Sequence, residues 1–190
     1  IPEEDMPVLL NPATGWVGSS NHRILDADYP YAYSTHFAHS WRYRRLKEKM
    51  AALDVWSTED HWRLQLDAKN MLAERLAPLM AAALLDDKQT KVLAELLQSW
   101  DFHDDQQEAA PLVFQSLLRH YARRVVQDEL GEELAAQYLN DYYYWHERIA
   151  DITMANNSAW LDDKSTAELE TREDLFRLAG HDALSELTSQ

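Results

Sequence analysis

Apolar residues recur every three or four positions over most of the chain after residue 41, which is the period of an α-helix. The clearest stripe follows Pro111, a residue suited to the first turn of a helix, and consists of Phe114, Leu117, Leu118, Tyr121 and Val125. Gly131 then interrupts the pattern. Another helix is predicted to start near Ser57, where Ser-Thr-Glu-Asp supplies an N-cap and an acidic first turn.

Four more apolar stripes complete the helical pattern, and the first of them belongs to the helix that starts near Ser57. Their members are Trp62, Leu66, Ala73, Leu76 and Met80; Val92, Leu93, Leu96, Leu97 and Trp100; Leu134, Tyr138, Tyr142, Trp145 and Ile149; and Leu175, Leu178, Leu184 and Leu187. The last of these helices is expected to begin near Ser165 or Thr171.

The first 40 residues differ in pattern from the rest. They contain four of the chain's six prolines and no helical stripe, so they predict an irregular arm with one short strand over residues 15–23. The predicted fold class is therefore mainly α, with an arm over residues 1–40 and a helical domain over residues 41–190. A chain of 190 residues is long enough to bury a substantial core.

Composition narrows the function classes. The formal net charge of −15 argues against nucleic acid or an anionic membrane surface as partner, because both attract basic patches. No apolar run reaches the roughly 18 residues that a membrane span needs. The absence of cysteine excludes disulfides and thiolate metal sites. The start at Ile1, with no leader pattern, predicts a segment of a longer protein.

Several polar groups invite a catalytic or metal-binding interpretation, but a simpler one is favoured for each. Ser20 and His22 have no obvious third group to orient the histidine, as serine–histidine catalysis requires. His36 with His39, and the stretch 103–105 (His-Asp-Asp), lack the three or four convergent ligands of a zinc site. The aromatic run over residues 142–145 is better suited to helix packing than to base stacking in so acidic a chain.

An arginine cluster follows the arm. Arg42, Arg44 and Arg45 stand among aromatic residues some 20 positions after Asn21. A guanidinium there is suited to fixing an amide or carboxylate through two parallel hydrogen bonds, and a row of surface salt bridges is the alternative. Composition alone favours the row of surface salt bridges.

Five motifs in order resemble the penicillin acylase (penicillin amidase) family of N-terminal-nucleophile hydrolases. They are Ile1-Pro2, Glu4 and Met6-Pro7 followed by Asn11-Pro12, Gly15-Trp16-Val17 and Asn21; Tyr29-Pro30-Tyr31; Trp41-Arg42 with Arg45-Leu46; Glu59-Asp60, Gln65, Asp67, Ala73, Leu76 and Pro78; and Trp100-Asp101. These motifs extend from residue 1 to about residue 115, and beyond them only helical character agrees.

The resemblance implies an amidase that is exported to the periplasm or secreted, and whose precursor is cut into α and β chains. The β chain then begins with a nucleophilic serine, whose own α-amino group is the base. In such an enzyme Asn21 would donate to the oxyanion hole and Arg42 would organise the site. The partners are the rest of the precursor (the α chain and the N-terminal part of the β chain) and a small acyl-amide substrate. The chain would be a mainly helical fragment of a larger αββα enzyme.

Two departures limit what the chain is expected to do by itself. Ile1 cannot be the nucleophile, so the isolated segment is expected to fold but not to hydrolyse amides. Some family members bind calcium through an aspartate soon after Tyr-Pro, but residues 31–34 (Tyr-Ala-Tyr-Ser) carry no carboxylate, so no cofactor or metal is expected here. The alternative function is a stand-alone acidic helical module that binds other proteins.

Overall fold

A computed structural model describes residues 1–140, 144–157 and 159–189. In these ranges the structure has seven α-helices: α1 Trp41–Ala51, α2 Thr58–Gln65, α3 Met71–Leu84, α4 Lys91–Ser99, α5 Ala110–Asn140, α6 Tyr144–Ala155 and α7 Arg172–Thr188. The only β pairing in the described residues is an isolated antiparallel bridge between Lys69 and His103. The predicted mainly α fold is confirmed.

The chain divides into two compact units, Ile1–Leu64 and Gln65–Gln190. The first contains the irregular arm, in which a 3-10 turn at Glu3–Asp5 is the only helical element before α1. The second contains α3 to α7. The predicted division into an arm over 1–40 and a helical domain over 41–190 stays a prediction.

The strand expected over residues 15–23 does not form. These residues adopt turns, bends and unpaired extended backbone. A strand needs a neighbouring strand to take up its N–H and C=O groups, and no described residue offers one here. The backbone hydrogen bond that this stretch makes to a distant residue runs from Ala38 N to Asn21 O, 2.7 Å.

The apolar stripe from Trp62 to Met80 belongs to two helices, not one. α2 ends at Gln65, and α3 starts at Met71 with Asn70 as its N-cap. The Asn70 side chain accepts a hydrogen bond from Ala73 N at 2.9 Å, which satisfies a free amide of the first turn. A residue that caps one helix cannot lie in the interior of a longer one, so the helical period continues across a break in the backbone.

Local polar residues set two other helix starts. At α2, Ser57 N donates to Asp60 Oδ2 (2.9 Å) and Ser57 Oγ accepts from Asp60 N (3.2 Å). At α7, Thr171 and Asp174 form the same reciprocal capping box. The predicted start at Ser57 is confirmed, and Thr171 rather than Ser165 begins the last helix.

The core of the second unit surrounds α5, which packs against α4 and α7, while α3 packs against α4 and α7. The α5 stripe predicted from sequence is buried, with Phe114, Leu117, Leu118, Tyr121 and Val125 inaccessible to solvent. Gly131 breaks α5 with φ 75° and ψ 164°, a conformation that favours glycine. Of the aromatic run, Trp145 is buried, Tyr144 is partly exposed, and Tyr142 and Tyr143 lie outside the described residues.

Candidate functional site

The backbone fixes Asn21 in an unusual conformation. Its φ of 61° lies in the left-handed region, which asparagine tolerates better than most residues. Its carbonyl oxygen accepts from Ala38 N at 2.7 Å, and its N–H donates to Ser19 Oγ at 3.3 Å. Both backbone polar groups of Asn21 are therefore occupied, and the peptide unit has little freedom to turn.

Arg42 fixes the Asn21 side chain. Arg42 lies in the first turn of α1, and its Nη2 donates to Asn21 Oδ1 (3.2 Å) and to Ser20 O (3.0 Å). A guanidinium only donates hydrogen bonds, so the amide must present its oxygen to Arg42 and direct its NH2 group elsewhere. Among the described residues no hydrogen bond occupies Asn21 Nδ2, and the side chain is exposed.

Arg42 does not form the two parallel hydrogen bonds to a single partner that the sequence suggested. Its Nη2 alone donates to two oxygens of different groups, Asn21 Oδ1 and Ser20 O, because an asparagine side chain has one acceptor atom. The geometry thus holds the backbone before Asn21 and the side chain of Asn21 with one nitrogen.

Aromatic stacking positions this part of the arm on α1. The His22 and Tyr43 rings stack at 3.5 Å between centroids and 13° between planes, and Trp16 lies 6.2 Å from Tyr43. A Cβ at residue 18 would lie 2.9 Å from the Trp16 ring and 3.0 Å from Leu46, so a larger residue than Gly18 would force one of these side chains to shift. Burial lowers the pKa of His22, which favours the neutral imidazole in the stack.

The other two arginines of the cluster have different partners. The Arg44 guanidinium lies 5.0 Å from the centre of the Trp41 ring. Arg45 Nη1 pairs with Glu48 Oε1 at 2.8 Å. Of the three arginines, Arg42 is the one whose hydrogen bonds join the arm to α1 at Asn21.

The structure places the remaining candidates as follows. His22 Nδ1 accepts from the backbone N–H of Ser20 (3.4 Å), so the contact between these residues does not involve the serine hydroxyl. His36 contacts the Thr35 hydroxyl, and His103 lies 3.2 Å from an oxygen of Asp101. Within residues 1–140, 144–157 and 159–189, no group of three histidine or carboxylate side chains has a geometry that would hold a metal ion.

Two contacts that support Asn21 were not predicted from the sequence. The hydrogen bond from Ala38 N has no side-chain signature, because it joins two backbone atoms. The stack of His22 on Tyr43 joins residues 21 positions apart, and neither belongs to a periodic stripe. One indirect indication of the stack was present in the sequence, because an aromatic residue, Tyr43, lies between Arg42 and Arg44.

A comparison with protein families decides the membership. The family model described as penicillin amidase matches residues 1–190. The chain belongs to the penicillin amidase family. The match continues past residue 115, where the motifs end, and it includes all seven helices. Membership implies amide hydrolysis by the full-length protein. None of the described helices is both long and apolar enough to cross a membrane.

Proposed function

We propose that this chain contributes an oxyanion-hole donor, Asn21, and part of the pocket wall to an amidase that hydrolyses a linear acyl–amine bond. The observation that supports this role is the orientation of the Asn21 amide. Arg42 Nη2 donates to the oxygen of this amide, while the NH2 group has no hydrogen-bond partner among the described residues. An anchored neutral donor with a free N–H is what a developing oxyanion requires.

The chemistry divides between this chain and the rest of the precursor. In the family, the N-terminal serine of the β chain attacks the carbonyl carbon, and its α-amino group takes the proton. The carbonyl oxygen becomes negative as the tetrahedral intermediate forms, and Asn21 Nδ2 donates to it. Asparagine remains neutral throughout and needs no proton transfer, so it stabilises the charge without reorganising.

Three further proposals follow from this role. The chain alone would be inactive, because Ile1 cannot replace the nucleophilic serine. Its partners would be the α chain, the N-terminal part of the β chain and a small acyl-amide substrate. The enzyme would act in the periplasm or outside the cell.

The test is Asn21→Ala in the complete enzyme. Removing one oxyanion donor costs on the order of 100- to 1,000-fold in kcat, or about 3–4 kcal/mol. The donor acts mainly in the transition state, so KM should change little. Asn21→Asp should be at least as slow, because a carboxylate repels the developing negative charge.

Asn11 offers a matched control. It is an exposed asparagine of the same arm and also has a left-handed backbone, with φ 47°. Asn11→Ala should therefore have the same local backbone cost and leave kcat unchanged. A folded Asn21→Ala enzyme whose kcat stays within about threefold of wild type would contradict the proposed role.

A further inference from the structure

The break at Gly131 brings the two halves of α5 side by side. Arg119 Nη2 donates to Asn140 Oδ1 at 3.2 Å although the residues are 21 positions apart. Two adjoining cavities of about 360 and 280 Å³ open beside these halves, next to α6 and α7, and both are lined by Arg119, Leu139 and Glu186. We call the two cavities together the α5 cleft.

One end of the α5 cleft is basic. Arg119, His120 and Arg123 line it from successive turns of α5. The carboxylate at this end is that of Glu186, which accepts from Ser116 Oγ (2.5 Å) and lies 3.1 Å from His120 Nε2. Within the described part of the chain no ion pair holds Arg123. Two guanidiniums therefore face one carboxylate that already has two partners, in a chain whose net charge is −15.

The other end of the α5 cleft is largely apolar. Leu112, Leu139, Trp145 and Leu187 line it. Trp145 is buried, and its indole Nε1 has no hydrogen-bond partner among the described residues. Leu112 is 61% exposed although it lies on a helix whose inner face is fully packed. Apolar surface next to a cavity is suited to the tail of a small amphiphilic ligand.

We propose that the α5 cleft binds a monocarboxylate with a short apolar tail. The carboxylate would lie between Arg119 and Arg123, because a guanidinium matches the geometry of a carboxylate. The tail would lie against Leu112 and Leu139. With His120 left out of the count, the two arginines and Glu186 leave a surplus of one positive charge, which suits a singly charged anion better than a dianion such as phosphate. This site is independent of Asn21, and its failure would leave the proposed catalytic role unaffected.

Octanoate is a suitable probe, titrated calorimetrically into the complete enzyme. Arg123→Gln should weaken octanoate binding at the α5 cleft about 10-fold or more, the effect of losing one charge-assisted contact. Arg119→Gln should act in the same direction. Both side chains are exposed, so both variants should fold and hydrolyse substrate at the wild-type rate.

Two controls separate this site from general electrostatics and from the active site. Arg177→Gln removes the same charge from α7 at an exposed ion pair with Asp174 and should leave octanoate affinity unchanged. Inhibition of hydrolysis by octanoate reports on the active site and should be the same in the Arg123→Gln enzyme as in wild type.

Two further comparisons test the two ends of the ligand, one by replacing its carboxylate and one by replacing a side chain beside its tail. Octanamide should bind the cleft at least about 10-fold more weakly than octanoate, because it lacks the charge. Leu112→Ser should weaken octanoate more than butyrate, because only the longer tail reaches that side chain. Equal octanoate affinity in the Arg123→Gln and Arg177→Gln enzymes would overturn the proposal, and so would equal affinity for octanoate and octanamide.

Discussion

Replacing Arg42 tests whether it acts through Asn21. In the structure one nitrogen, Nη2, holds both Ser20 O and Asn21 Oδ1. Arg42→Ala removes both hydrogen bonds and leaves the Asn21 amide free to turn about its last side-chain torsion, which has a broad, roughly two-fold preference. The donor that the oxyanion needs is still present, but it is no longer oriented.

The magnitude follows from the bond to Asn21 Oδ1. A hydrogen bond to a charged group contributes about 1.5–3 kcal/mol, and the exposure of Arg42 in this chain places its contact at the low end. About 1.4 kcal/mol corresponds to a tenfold preference for the correct amide orientation. Arg42→Ala should therefore lower kcat about 10-fold, less than the 100- to 1,000-fold expected for loss of the donor itself.

Lysine should not restore the activity. Its single nitrogen lies one atom closer to the backbone than Nη2 and has no planar fork to fix its direction. We expect Arg42→Lys to be nearly as slow as Arg42→Ala. Arg44→Ala, which removes only the contact with the Trp41 ring, should have a mild effect and serves as the matched control.

The decisive assay is a double-mutant cycle on kcat and KM in the complete enzyme. If Arg42 works by orienting Asn21, the enzyme with both Asn21→Ala and Arg42→Ala should be no slower than Asn21→Ala alone. A double mutant whose loss equals the product of the two single losses would refute the reasoning. Wild-type kcat in Arg42→Lys would also refute it.

Two stability predictions concern the second unit. Phe102 has φ 66°, in the left-handed region, so Phe102→Gly should be more stable than Phe102→Ala by about 1 kcal/mol in urea unfolding. Equal unfolding midpoints for the two variants would contradict this. Burial raises the pKa of Tyr121 to about 12, against about 10 in an unfolded chain. The folded protein therefore holds the phenol proton more tightly, and the stability that depends on this proton is complete below pH 10 and is lost as the pH rises from 10 to 12. Tyr121→Phe should therefore lose less stability than wild type between pH 9 and pH 11.5, and parallel losses in the two proteins would contradict the assignment.

The helices were predictable because their determinants are local. The α5 stripe, the break at Gly131 and the capping residues at Ser57 and Thr171 each depend on side chains within a few positions of one another. The single stripe from Trp62 to Met80 was misleading for a physical reason. A helical period shows which face of a helix is apolar, but it does not show that the first helix has ended and that Asn70 caps a second one.

The arm was harder to predict because its contacts are long in sequence. An extended run such as residues 15–23 carries no information about whether a partner strand exists, so the predicted strand was wrong. The family resemblance pointed to Asn21 and Arg42 separately, and neither it nor any spacing rule predicted the hydrogen bond between them. The left-handed backbone at Asn21 and its bond from Ala38 depend on how the arm packs on α1, which only the coordinates show.

The hydrogen bond from Ala38 N to Asn21 O joins the two ends of a loop, residues 22–37, at a fixed point. Because the two ends of this loop are fixed, doubling its length would cost only about 0.6 kcal/mol of closure entropy. Within this loop His22 stacks on Tyr43, and the Tyr29 and Tyr31 hydroxyls donate to Asp5. Insertions on either side of Tyr29-Pro30-Tyr31 should therefore cost little stability, and the length of this loop can change without disturbing the contact between Asn21 and Arg42.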